Sequence, residues 1–114
     1  MANGADEAAR GGAGALVGSW ALRVNTPFGV QPITFTVERS GGALTGVMRH
    51  ERGAADVTDI RVRGHEFTAQ AGITLKGTHI TADVTGQFDA AHISGNVKVH
   101  LPLAPLVTFT GIRQ

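Results

Sequence analysis

From Gly18 onward, apolar side chains return at every second position. Trp20, Leu22 and Val24 alternate with Ala21, Arg23 and Asn25, and Ile33, Phe35 and Val37 alternate with Thr34, Thr36 and Glu38. Ile93, Val97, Val99 and Leu101 alternate in the same way with Ser94, Asn96, Lys98 and His100. A period of two places successive side chains on opposite faces of a pleated strand. Each strand then has one apolar and one wet face, the pattern of an antiparallel sheet buried on a single side. The Val and Thr richness suits that surface, and no Ala/Leu-rich helical period competes with it.

The pattern predicts strands near 18–25, 31–39, 43–51, 56–63, 65–72, 78–88, 92–101 and 105–113. In the fourth, Val57 has the opposite parity to Ile60 and Val62, which points either to a bulge or to a different register. Gly46, Gly86, Gly95 and Gly111 lie inside strands, where they weaken a flat sheet but suit the sharp bending of a small closed one. The turns at Ser40-Gly41-Gly42, Arg63-Gly64 and Asp89-Ala90-Ala91 read as tight, and the four intervening connections as looser. In an up-and-down meander these two kinds fall at opposite ends. The expected fold is therefore all-β, a closed antiparallel up-and-down barrel of about eight strands, with a closed floor and an open mouth. A flattened sandwich of the same strands is the alternative.

Residues 1–16 are mostly Ala, Gly and charge and are expected to form a flexible N-terminal tail ahead of a barrel domain at 17–114. A chain of 114 residues is one domain, large enough to bury a core without staples. It has no Cys, which excludes disulfides and thiolate chemistry. Ten Lys and Arg face nine Asp and Glu with no basic run, and Tyr is absent, so a nucleic-acid partner is not expected. Acidic residues stand where a secretory leader carries cations, and no stretch has the length of a membrane helix. The expectation is a cytoplasmic protein with no membrane partner.

Gly18-Ser19-Trp20 opens the pattern and Gly111-Ile112-Arg113 closes it. In this the chain resembles the lipocalins and the wider calycin group, and also small bacterial single-barrel proteins with a Gly-x-Trp start and a Gly-x-Arg end. The resemblance implies that Trp20 plugs the floor and that Arg113 from the last strand packs across it, with a ligand held inside the barrel. The chain departs from lipocalins in its shortness and in lacking a disulfide, a Thr-Asp-Tyr motif and a C-terminal helix. Avidins share the architecture but set several Trp around biotin, and this chain has one.

Inward parity assigns Trp20, Phe35, Val37, Met48, Phe67, Ala82, Val84, Val97 and Phe109 to an apolar ligand-binding wall. Small residues on the same face (Gly46, Ala69, Ala71, Ala82, Gly86, Gly95) are expected to leave volume for a ligand. Of the five His, parity turns His79, His92 and His100 to solvent and His50 and His65 inward. Asp56 begins strand four across a short loop from His50, and a carboxylate there could orient the imidazole for acid–base chemistry. The plainer reading is a solvated His and Asp. No His spacing supports a metal site, and no cofactor is implied. Phe28, Leu103 and Leu106, with Pro and Leu neighbours, form an apolar rim suited to gating a ligand or to contact in a homodimer.

Three classes of function stand on these residues. The first is a module that binds a small, largely apolar molecule inside the barrel. The second is a cofactor-free isomerase, cyclase or lyase that acts on such a molecule through His50 and Asp56. The third is a structural or interaction protein that uses the rim.

Overall fold

A computed structural model describes residues 13–114 apart from Phe28, Arg52, Lys76, Leu103 and Pro105, and only the backbone of Ala13, Ile73 and Leu75. A turn of helix, α1 (Ala13–Leu16), precedes eight strands: β1 (Gly18–Thr26), β2 (Gly29–Ser40), β3 (Ala43–His50), β4 (Gly53–Arg63), β5 (Glu66–Leu75), β6 (Thr78–Phe88), β7 (His92–Val99) and β8 (Val107–Arg113). Each strand pairs antiparallel with the next, and β8 returns to β1 with Trp20 opposite Arg113, closing the barrel in sequence order. The period of two is thus expressed as a closed sheet whose inward side chains form one core.

Two sequence expectations are refined. Three of the connections expected to be loose have only two residues between strands, because the flanking strands run on to meet them. Gly29 and Gly77, at φ of 109° and 80°, permit those reversals. The connection between β7 and β8 alone is long. The anomaly in β4 is a bulge between Thr58 and Arg61, with Asp59 in the left-handed region at φ 51°. The shift returns Ile60 and Val62 to the inner face beside Val57, all three joining the core.

The segment expected to be a tail divides. Residues 1–12 lie outside the described residues, whereas α1 is seated in the floor of the barrel with Ala15 and Leu16 buried.

The lower half of the interior is filled. Phe35 and Phe67, on opposite walls, stack with ring centroids 6.4 Å apart and an interplanar angle of 28°. Phe88 packs its ring against both Phe67 and Trp20. One rung of the sheet reads Phe67, Gly86, Gly95, Phe109 across β5 to β8. The two rings occupy the space in front of the glycines: a methyl on Gly86 would sit 2.7 Å from Phe67 and one on Gly95 2.8 Å from Phe109. The glycines let the strands fold closely over the aromatic rings.

Candidate functional site

The floor forms as the resemblance implied. The Trp20 ring is fully buried, and its indole N–H donates to the Leu16 carbonyl at 3.0 Å. The Arg113 guanidinium lies 4.1 Å from the ring centroid. It donates from Nε to the Ala90 carbonyl at 3.0 Å, from Nη1 to the Val17 carbonyl at 2.9 Å, and from Nη2 to the Ala15 carbonyl. Arg113 thereby ties β8 to the β6–β7 turn and to α1. Desolvation against the ring lowers its pKa from the usual guanidinium value. Beside it Asp89 accepts the Ala91 and His92 backbone N–H groups, both at 2.8 Å, and these two bonds hold its carboxyl below the ordinary range.

All nine residues assigned to the wall belong to the inward set, but they divide by height. Trp20, Phe35, Val37, Phe67, Val84 and Phe109 are no more than 2% exposed and pack against one another. They are core rather than the lining of an open cavity. The expectation that Gly46, Gly86 and Gly95 leave empty volume is corrected, because Phe35, Phe67 and Phe109 fill the space each would have left. Ala82 is buried above that layer, and Met48 and Val97 are half-buried nearer the mouth.

On β1, β2 and β3, solvent access on the inner face rises toward the mouth. Along β1, Trp20, Leu22 and Val24 are 0%, 2% and 8% exposed, and Thr26 is half-buried. The same progression runs up β2 from Phe35 to Ile33 and Gln31, and up β3 from Gly46 to Met48 and His50. The upper half of the inner face is therefore apolar and half-buried, with Ile33, Met48, Ala71, Val97 and Val107 packed on the core that holds Phe35 and Phe109. Four steps along β2 lead from Gln31 to Phe35, about 13 Å along the strand, or about 10 Å along the axis of a barrel with strands tilted by roughly 40°.

At the lip, His50 turns inward as expected, and its Nε2 lies 3.1 Å from Gln31 Oε1. The proposed His50–Asp56 pair does not form. Asp56 is exposed and alternates with buried Val57, so it belongs to the outer face. It lines a groove there with Thr36, Glu38, Thr45 and Arg49. A single residue of parity separates the two expectations: strand β4 starts at Gly53, opposite His50, and three steps later the side chain points outward. Sequence reasoning passed over Gln31, although its parity with Ile33 and Phe35 marked it as inward.

His65, expected inward, sits exposed in the β4–β5 turn with Nδ1 3.0 Å from the Phe88 carbonyl oxygen. His79, His92 and His100 are exposed. His100 bridges Thr81 Oγ1 at 2.8 Å and Asp83 Oδ2 at 2.9 Å, fastening the end of β7 to the outer face of β6. Among the described residues no cluster of three or more His, Cys, Asp or Glu could hold a metal, and no helix is long and apolar enough to cross a membrane.

Of the rim, Phe28 and Leu103 lie outside the described residues. Leu106 is 61% exposed, and Val30 and Leu101 are also exposed at the same end. The outer wall carries grooves, one of about 670 Å³ bordered by Arg61, Arg63, Thr68, Thr85, Gln87 and Asn96.

No protein-family model matches the chain, and no curated protein or solved structure is similar enough to it to count as a match.

Proposed function

We propose that this barrel is a lipocalin-like binding module that takes a small, largely apolar molecule into its mouth half. The supporting observation is the gradient of exposure along the inner face, from a closed aromatic floor to half-buried Ile33, Met48 and Val97. Apolar side chains on a concave surface with partial solvent access lose contact with water when an apolar molecule enters, and that burial drives binding. The filled lower half confines any occupant to the mouth half, which on this reading is the cup. An isomerase, cyclase or lyase would have to work from His50 without the carboxylate once assigned to it, so binding is the better-supported reading.

A neutral fluorescent probe such as N-phenyl-1-naphthylamine is expected to brighten and shift to the blue in the presence of the protein. Met48→Trp and Ala82→Phe, which fill the cup from two sides, are expected to weaken that binding at least roughly tenfold, about 1.4 kcal/mol. Thermal melts verify that both variants remain folded. Equal probe binding by wild type and both folded variants would rule out the cup.

The rim supports a second use of the same surface. Among the described residues, three of the four exposed large hydrophobics (Val30, Leu101, Leu106) gather at the mouth; the fourth, Ile112, lies on the outer face of β8. An apolar collar of this kind suits a homodimer formed mouth to mouth. Sedimentation velocity is expected to show a concentration-dependent dimer that Leu101→Ser with Leu106→Ser abolishes. A wild type that stays monomeric at all concentrations refutes this use.

A further inference from the structure

We infer that the molecule held in the cup carries a hydrogen-bond acceptor, a carboxylate or a ketone-type carbonyl, at the end that remains at the lip, and that Gln31 selects it. This rests on the cup being a binding site and goes further by assigning the chemistry of the occupant's polar end.

Gln31 Oε1 is a carbonyl oxygen and can only accept, so at 3.1 Å the N–H of His50 Nε2 donates to it. With its oxygen engaged, the Gln31 amide is held so that its nitrogen presents the two remaining N–H groups. The bond to His50 is the only one that the described residues give this side chain. Gln31 is half-buried on the inward set, and among the described residues no buried polar side-chain atom lacks a partner, so its N–H groups are not sealed in the core. They stand at the lip of the cup, and among the described residues no buried side chain is polar or charged.

A molecule entering with its apolar end foremost would place its polar end beside these donors. An acceptor there satisfies them, whereas an ammonium, which can only donate, meets N–H groups of the same polarity. His50 acts as a positioning residue: it fixes which end of the amide faces the ligand.

The test displaces N-phenyl-1-naphthylamine with octanoate, 2-octanone and octylammonium, which share a chain that suits the depth of the cup. Wild type is expected to bind octanoate and 2-octanone roughly five- to tenfold more tightly than octylammonium. Similar affinity for the two acceptors identifies a neutral carbonyl as sufficient, and a preference for octanoate identifies the anion. Gln31→Leu is expected to abolish the difference while leaving the probe bound. Gln31→Glu is expected to reverse it in favour of octylammonium, a result that loss of structure would not produce. If the probe binds and Met48→Trp blocks it, but the three ligands displace it equally, the inference fails and the cup stands. An acceptor preference that survives in Gln31→Leu overturns it as well. If neither the probe nor any ligand binds wild type, both readings fall together.

Discussion

Trp20→Ala is expected to destabilise the barrel by about 3–5 kcal/mol, the range for truncating a large buried aromatic. The ring is fully buried, and its removal leaves a cavity lined by Phe88, Leu16 and the Arg113 guanidinium. The Leu16 carbonyl loses the indole N–H, and Arg113 loses a cation–π contact of about 0.5–2 kcal/mol, part of the same total. For a domain of this size, 1 kcal/mol moves the midpoint by about 4–8 °C, so a fall in Tm of about 12 °C or more is expected. Trp20→Phe keeps most of the packing and loses the hydrogen bond, and should cost less. A melt in which Trp20→Ala stays within about 3 °C of wild type would contradict the plug.

The second large effect comes from adding a single methyl group. In Gly95→Ala the new carbon would stand 2.1 Å from the Thr85 carbonyl oxygen and 2.7 Å from Gly86 Cα. Both are backbone atoms in the neighbouring strand and cannot swing aside, so β6 and β7 must separate. The expected cost is about 3 kcal/mol, at the upper end of overpacking. Gly72→Ala provides the contrast. Among the described residues its methyl meets only the exposed His79 imidazole, at 3.1 and 3.3 Å, and that ring can rotate away. There the reduced freedom of the unfolded chain should leave stability unchanged or raise it by up to about 1 kcal/mol. Urea unfolding of the two variants measures the difference, and similar midpoints would show that the close approach of β6 and β7 is not rigid.

The barrel was legible in the sequence because a period of two and glycine-marked turns are local signals. The irregularity at Thr58 to Arg61 was legible for the same reason, since Val57 and Ile60 break the alternation, but its being a bulge rather than a different register was not. The floor was legible through a resemblance of a few residues, Trp20 and Arg113 above all. What local signals could not convey was which large side chain occupies which gap. Gly46, Gly86 and Gly95 looked like unfilled space until Phe35, Phe67 and Phe109 were seen to cross into it from other strands. The His50–Asp56 pair failed because proximity along a hairpin says nothing about the face until the register is known. His50 found Gln31 instead, 19 residues away along the chain. Leu16 was hidden for a different reason: a four-residue helix surrounded by Ala and Gly has no period to read.

The seam between β1 and β8 joins the two most distant strands of the barrel, with Arg113 bonded to the carbonyls of Ala15 and Val17. As the chain is made from its N-terminus, β1 is complete early, yet one of its edges stays bare until β8 follows. Seven strands without the eighth form an open sheet with two exposed edges, the surface on which chains join one another into aggregates. Its long-range closure also makes folding slow compared with a fold built from neighbouring contacts. The vulnerable interval in the life of this protein is thus its birth, and a growing chain held away from its siblings until the last strand arrives has the best prospect of reaching the closed ring.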